Sequence, residues 1–263
     1  MSVLRSMDND RVKSWARLAS DPRERRRLSQ ALIEGPHLVE TCLDRGAALA
    51  SLIVSEAGLA RREIVALVDR SGKPPVILSV RLFQKISDTE SPAGIAAVID
   101  VPQDSVDSAS SPGCVFLQGI QDAGNVGAIL RSAAAFAVPD VIVGRDCADP
   151  WSPKALRAGM GGHFFLRIAS TSDLAGEVAR FGETSLCTVV RDGVPIESVD
   201  LTQRIGWIFG SEGAGVAPEL AAMAACRVSI ATPGGAESLN VAAAAAIFFY
   251  ERQRQIRRRA ARS

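Results

Sequence analysis

The chain has few of the residues that build metal centres or disulfide frameworks. Five cysteines are spread over its 263 residues without a CxxC pair, and there are only two histidines. Because a zinc site needs closely spaced sulfur and imidazole ligands, we expect no metal centre. An odd number of scattered cysteines is also typical of a reducing compartment, which predicts a cytoplasmic protein.

Long apolar runs are also missing. No stretch of about 18 consecutive apolar residues predicts a membrane span, and the first residues lack the apolar core of a secretory signal. Aromatic residues make up 5% of the chain, with a single tyrosine, Tyr250. Base-stacking platforms are therefore scarce, so we expect any nucleic acid to be recognised by its shape and its phosphates.

The net charge is only +1, but the positive charges are unevenly distributed. Lysine is rare, with four residues against 26 arginines, and arginine is concentrated near both ends. The basic residues of the two ends are Arg11, Lys13, Arg17, Arg23, Arg25, Arg26 and Arg27, and Arg252, Arg254, Arg257, Arg258 and Arg259. Two interpretations are open: solvated helix faces enriched in arginine by codon bias, or contacts to phosphates, whose geometry the guanidinium fork matches.

The hydrophobic pattern predicts two α/β domains. Up to about residue 100, helix-like segments, of which 31–46 is one, alternate with short strand-like runs, and a Ser-, Pro- and Asp-rich stretch follows. Beyond it, five short apolar runs separated by helical segments are typical of a largely parallel sheet covered on both faces. We predict a small N-terminal domain over 1–100, a linker over 101–112 and a second domain over 113–263.

Three polar, glycine-containing segments of the second domain each include or follow the end of a predicted strand. They are LQGIQDAGNVGAILR at 117–131, IFGSEGAG at 208–215 and ESLNVAAA at 237–244. The carboxyl ends of parallel strands meet at one edge of a sheet, where α/β proteins bind ligands. Each segment alone also fits a simple turn or helix cap. The three together predict one binding site.

A dinucleotide-dependent oxidoreductase is the first alternative for such glycine-rich loops. The GxGxxG fingerprint is absent, however, and no strand ending in an acid follows about 20 residues later. The pattern therefore disfavours a nicotinamide cofactor.

In this order, the three segments resemble the three motifs of the SpoU/TrmH family of RNA ribose 2′-O-methyltransferases. The first family motif has an Asn and an Arg six residues apart, matched by Asn125 and Arg131. The second is GSEGxG, matched at 210–215, and the third contains SLNV, matched at 238–241. The residues before the linker resemble the ribosomal-protein-like RNA-binding domain that precedes the methyltransferase domain in many members.

The resemblance implies an α/β fold with a trefoil knot in the parallel-sheet domain. It also implies that S-adenosylmethionine is held by the knot loops and that a homodimer forms with the active site at its interface. The implied reaction is methyl transfer to a ribose 2′-hydroxyl in structured RNA, and the extra N-terminal domain favours ribosomal RNA. A transfer RNA methyltransferase and a non-catalytic RNA-binding factor of ribosome assembly are the alternatives.

The resemblance also assigns roles to single residues. Arg131 is the family's base, but a guanidinium keeps its proton in proteins. We therefore expect Arg131 to hold the target phosphate and stabilise the developing alkoxide. Asn125 is expected to orient the ribose, and Glu212 to fix Arg131 or the knot loop. Ser238 and Asn240 are expected to hold the loop and contact the substrate. The expected cofactor contacts, mainly through the backbone, are Gly210, Ile230, Leu239 and Thr188.

Overall fold

The computed structural model describes residues 3–102, 106–234 and 237–261. Two units are present. One comprises the described residues of Met1–Gln103 together with Asp149–Phe164, and the other comprises those of Asp104–Ala148 and Phe165–Ser263. Along the sequence, Asp149–Phe164 lies within the predicted second domain, yet it packs in the first unit. The predicted limits of the two domains and the linker stay a prediction.

The first unit is built on a five-stranded sheet. Its strands are β1 (Val3–Leu4), β2 (Gln30–Glu34), β3 (Leu49–Ser55), β4 (Val76–Leu78) and β5 (Ile95–Asp100). Its first five helices are α1 (Asp10–Ser20), α2 (Pro22–Leu28), α3 (Pro36–Asp44), α4 (Arg62–Ser71) and α5 (Val80–Ile86). The strand order is β1-β4-β3-β5-β2, with β5 antiparallel to both of its neighbours.

Helices cover both faces of this sheet. Val12 and Trp15 of α1 and Phe83 of α5 share one buried cluster with Leu32 and Ile53 of the strands. Successive side chains of a strand point to opposite faces of the sheet, so the residues on either side of Leu32 in β2 point away from this cluster. There α3 packs against β2, β5 and α4. The sheet therefore separates α1 and α5 from α3 and α4.

The predicted helical segment 31–46 is a strand followed by a helix. Residues 31–34 belong to β2, and α3 begins only at Pro36. Gly35 has a φ of 101°, a region that favours glycine, and Pro36 occupies the first turn, where its missing N–H costs nothing. The prediction for 31–34 was wrong because periodicity alone does not separate a short apolar strand from a helical turn.

The second unit is built on a seven-stranded sheet in which every pairing is parallel. Its strands are β6 (Gly113–Leu117), β7 (Asp140–Gly144), β8 (Arg167–Thr171), β9 (Ser185–Thr188), β10 (Val194–Pro195), β11 (Ile205–Phe209) and β12 (Cys226–Ser229). The remaining helices are α6 (Ala123–Ala135), α7 (Pro153–Gly159), α8 (Leu174–Phe181), α9 (Pro218–Met223) and α10 (Val241–Ala260), of which α7 belongs to the first unit. The strand order is β10-β12-β9-β11-β6-β7-β8.

The prediction of a parallel sheet covered on both faces is confirmed. Phe116 and Ile208 pack with α8 and α9 on one face, whereas Trp207 and Phe209 pack against Phe248 of α10 on the other. α10 in turn packs along α6. Since every strand runs the same way, the loops after β6, β9, β11 and β12 emerge at one edge. No helix among the described residues is long and apolar enough to cross a membrane.

Candidate active site

The first motif leads from the end of β6 into α6. Gln118 N donates to Phe209 O at 2.9 Å, which joins the ends of β6 and β11. Asp122 caps α6, and its carboxylate accepts a hydrogen bond from Asn125 N at 2.9 Å. Asn125 is therefore the third residue of the helix and not its cap. Its side-chain amide is free to make contacts with the other two motifs.

The second motif is a loop that closes on itself. Ser211 N donates to Gly215 O at 3.1 Å, and Gly215 N donates to Ser211 O at 2.9 Å. Gly210 is buried at the start of this loop, and a Cβ there would lie 2.1 Å from both the carbonyl carbon and the oxygen of Gly215. The close approach of the two backbone segments therefore requires glycine at position 210.

The third motif supplies the cap of α10. Asn240 Oδ1 accepts hydrogen bonds from Ala242 N at 3.0 Å and from Ala243 N at 3.2 Å. These bonds satisfy two backbone donors that the first turn of the helix leaves free. The orientation of the Asn240 amide follows: its oxygen faces the helix, and its NH2 group faces away.

A hydrogen-bonded relay joins the three motifs. Asn240 Nδ2 donates to Asn125 Oδ1 at 3.0 Å, and Asn125 Nδ2 donates to Glu212 Oε1. An amide that accepts through its oxygen can only donate through its nitrogen, so the direction of the relay is set by the helix cap at one end. The carboxylate of Glu212 receives the last hydrogen bond. The relay therefore brings one side chain of each motif together.

A pocket of about 360 Å³ adjoins the relay. This volume lies within the range of small-molecule sites, roughly 300–1,000 Å³. All four residues predicted to contact a cofactor line it, as do two of the predicted catalytic residues: Thr188, Gly210, Ile230 and Leu239, with Glu212 and Ser238. Sequence reasoning missed other lining residues, among them Val189, Val190, Phe209, Thr232 and Phe248. Most of these flank the ends of β9, β11 and β12, and that position is the signal that could have found them.

The lining residues differ in what their side chains do. Thr188 Oγ1 donates to Ile208 O at 2.9 Å, so this hydroxyl ties β9 to the end of β11. Leu239 is 38% exposed at the pocket rim. Ser238 is also exposed and makes no hydrogen bond to another described residue. Its hydroxyl is therefore available to a ligand.

Arg131 stands apart from the pocket. It is exposed on α6, does not line the pocket, and forms no hydrogen bond or ion pair within the described part of the chain. Glu212, which is expected to fix Arg131 or the knot loop, receives a hydrogen bond from Asn125. Arg131 lies six residues after Asn125 on α6.

Thiol chemistry is excluded beside the first motif. Cys147 donates to Leu117 O at 3.3 Å and accepts from Ile120 N at 3.4 Å. Burial raises the pKa of this thiol to about 11, so it is protonated near pH 7 and is no nucleophile. Over the described ranges, no group of three or more His, Cys, Asp or Glu side chains is arranged to hold a metal ion.

Comparison with known proteins identifies the class to which this site belongs. The model of the SpoU rRNA Methylase family matches residues 112–250, and that of the MRM3-like substrate binding domain matches residues 9–97. The chain therefore belongs to the SpoU methylase family, and the resemblance of its three motifs is confirmed.

Relatives and solved structures match along almost the whole chain. The chain is 30% identical to the 23S rRNA (guanosine(2553)-2′-O)-methyltransferase RlmP of Bacillus subtilis over 252 residues, 95% of this chain and 98% of that one. It is 27% identical to the 23S rRNA (uridine(2479)-2′-O)-methyltransferase of Streptomyces viridochromogenes, covering 94% of this chain and 90% of that one. The crystal structure of the SpoU methyltransferase AviRb from the same organism, in complex with the cofactor AdoMet, matches with a TM-score of 0.83 at 25% identity over 94% of this chain and 98% of that chain.

Proposed function

We propose that this chain is an S-adenosylmethionine-dependent methyltransferase that methylates a ribose 2′-hydroxyl in structured RNA, and that the RNA is ribosomal. The observation that carries the proposal is the relay from Asn240 through Asn125 to Glu212, which joins the three family motifs at a pocket of suitable size. Support for ribosomal RNA comes from two relatives that are named as 23S rRNA 2′-O-methyltransferases and match nearly the full chain.

The pocket fits S-adenosylmethionine in its chemistry. Apolar side chains such as Ile230, Leu239 and Phe248 suit an adenine ring, and the loop 210–215 offers backbone polar groups. S-adenosylmethionine, when bound, supplies a methyl group activated by a sulfonium. We propose that Gly210, Ile230, Leu239 and Thr188 hold it mainly through backbone atoms. Related structures crystallised with AdoMet support this assignment.

The proposed reaction forms a bond between ribose O2′ and the methyl carbon, breaks the methyl–sulfur bond and releases the hydroxyl proton. Holding both reactants in line can supply roughly 7–11 kcal/mol of the barrier. We propose that Asn125 orients the ribose and that Glu212 fixes Asn125 and the loop. Ser238 and Asn240 hold the third motif and contact the substrate. Positioning is therefore the main task of the relay.

Arg131 is proposed to bind the phosphate beside the target ribose and to stabilise negative charge on O2′. A guanidinium keeps its proton, so the hydroxyl proton leaves to phosphate or water. Because Arg131 does not line the pocket of its own chain, we propose that a homodimer completes the site with Arg131 of a second copy. Ile247 and Tyr250 of α10, 39% and 53% exposed, provide apolar surface for such a contact.

The trefoil knot and the cellular location are further parts of the proposal. The loops that line the pocket after β9, β11 and β12 are the ones in which we propose the family's knot. A cytoplasmic location is supported by the five cysteines, all of which are free.

Incubation with S-adenosylmethionine labelled in its methyl group and with separated 23S, 16S and transfer RNA tests the function. RNA from cells that lack the protein provides unmodified substrate. We expect label in one ribosomal RNA. Label in transfer RNA alone would show that the substrate is transfer RNA and not ribosomal RNA. Absence of label with cofactor still bound would favour a non-catalytic factor of ribosome assembly.

A further inference from the structure

Several basic residues near the start of the chain have structural partners. Arg25 is buried, and its Nε donates to Asp149 Oδ2 at 2.7 Å while its Nη1 donates to Leu18 O at 2.6 Å. Arg27 makes two bonds to Glu24, at 2.9 and 2.8 Å. The bonds of Arg25 link α2 to α1 and to Asp149 of the same unit, whereas those of Arg27 stay within α2. Arg25 is therefore not available to a ligand.

Six other cations, all on three helices of the same unit, are exposed and form no ion pair with a described residue. We call them the basic surface: Arg11, Arg17, Arg23, Arg26, Arg81 and Lys85. They lie on α1, α2 and α5, and α1 packs against both of the other helices, so the three helices lie side by side. Asp10 is the one exposed acid within the bounds of these three helices. The basic surface therefore carries a strong local excess of positive charge.

The opposite face of the same sheet has no such excess. α3 and α4 carry four exposed acids, which are Glu40, Asp44, Glu63 and Asp69, and two exposed arginines, Arg62 and Arg70. Arg70 is bonded to Asp44 and lies 3.8 Å from Glu40. Codon bias acts on every helix alike, so it does not explain why unpaired cations collect on one face. The asymmetry favours the phosphate-binding interpretation of the basic N-terminal residues.

Within the basic surface, α5 places two like charges side by side. Arg81 and Lys85 are four residues apart on a helix that contains no acid. Like charges at this spacing repel each other and destabilise a helix. A polyanion bound across the helix would relieve this repulsion, whereas water and salt only screen it.

We propose that the basic surface binds the phosphate backbone of the RNA substrate. The inference rests on the proposed function and adds to it the face of the first unit that RNA contacts. Exposed guanidinium groups suit phosphate oxygens, and their contacts set the affinity and register of an RNA and not its sequence specificity. The opposite face, with α3 and α4, stays free of RNA.

The test compares Arg26→Gln, Arg81→Gln and the double variant with the control Arg62→Gln. Arg81 and Arg62 are matched, because both are exposed, lie in the first turn of a helix and have no ion pair with a described residue, but they lie on opposite faces. Binding to purified 23S ribosomal RNA is measured by filter retention without cofactor at several salt concentrations. We expect each single variant to bind several-fold more weakly, and the salt slope to fall by about 1 per lost phosphate contact. Arg62→Gln should match the wild type.

Two outcomes would overturn the inference: unchanged affinity and salt slope in the double variant, or an equal loss in Arg62→Gln. Circular dichroism melting of all variants shows that the comparison is between folded proteins. Methyl transfer is measured separately, and we expect the double variant to raise KM for RNA and to leave kcat unchanged. A wild type that binds RNA as expected but transfers no methyl group would contradict the proposed function alone. A double variant that methylates RNA with a normal KM would contradict only the proposal that the basic surface binds RNA.

Discussion

Asn240 Nδ2 donates a hydrogen bond to Asn125 Oδ1 at 3.0 Å, although the two residues are 115 positions apart in the sequence. The same Asn240 side chain caps α10 through its oxygen. A residue that satisfies the start of a helix thus also fixes the amide of the first motif. The cap of α10 therefore sets the orientation of the Asn125 side chain.

Asn240→Asp should separate capping from the relay. Aspartate is as good a cap as asparagine, so the melting temperature should stay close to that of the wild type. Aspartate lacks the NH2 donor to Asn125, and its charge would turn the Asn125 amide around and away from Glu212. We expect a loss of kcat of tenfold or more with little change in cofactor affinity. Asn240→Ala serves as the control that also loses the cap, at a cost of about 1 kcal/mol in the free energy of unfolding.

Gly210 and Gly213 should respond very differently to a single added methyl group. A Cβ at Gly210 meets Gly215 at 2.1 Å, whereas a Cβ at Gly213 meets nothing within 4 Å. Gly210→Ala should destabilise the protein by about 1–3 kcal/mol and abolish cofactor binding, because the loop has to open. Gly213→Ala should change neither by much. Urea unfolding and calorimetric titration measure the two effects, and equal behaviour of the two variants would contradict this account of the loop.

Ala244 offers a way to fill the pocket without disturbing the fold. It lines the pocket on α10 and is partly exposed, and leucine is a good helix former. We expect Ala244→Leu to weaken S-adenosylmethionine binding at least tenfold at an unchanged melting temperature. Ala243→Leu, at an exposed neighbouring position outside the pocket, is the control and should bind normally. Normal binding by both variants would place the cofactor elsewhere.

His163 should make the stability of the first unit depend on pH. It is buried against Trp151, it bonds Pro150 O at 2.8 Å, and burial lowers its pKa to about 4. Its pKa in the unfolded chain is about 6.5, so the unfolded state takes up the proton first as the pH falls. Stability is therefore full above pH 6.5 and is lost as the pH falls towards 4.

His163→Gln tests this dependence, because glutamine keeps an N–H donor and does not titrate. Between pH 7 and pH 5, the free energy of unfolding of the wild type should fall by about 2 kcal/mol more than that of the variant. Urea unfolding at the two pH values provides the comparison. Parallel pH dependence of both proteins would show that His163 is not the group responsible.

The sequence predicted the parallel sheet because buried parallel strands are continuous apolar runs that stand out from their surroundings. It missed β8 and β10, which lie at the two edges of that sheet and are partly exposed. Strand β8 has only one buried residue, Ile168, and β10 has none. A strand whose side chains are mostly exposed has no continuous apolar run by which the sequence could reveal it.

For the site, the cofactor residues were assigned by the family resemblance, and they line one pocket because the strand ends converge. The bonds between motifs were not predictable from the pattern, since they depend on side-chain directions in three dimensions. Glu212 was expected to fix Arg131 or the loop, and its hydrogen bond with Asn125 was not anticipated. Likewise, Arg25 was grouped with the exposed arginines, and only its burial and its bond to Asp149 set it apart.

The most direct measurement is the chemical position of the transferred methyl group. Ribosomal RNA from cells that lack the protein is incubated with S-adenosylmethionine and either wild type or Arg131→Lys, digested to nucleosides and analysed by mass spectrometry. The account predicts one 2′-O-methylated nucleoside with the wild type, and at least a hundredfold less with Arg131→Lys at unchanged cofactor affinity, since lysine lacks the guanidinium fork. A methyl group on a base, or full activity of Arg131→Lys, would contradict it.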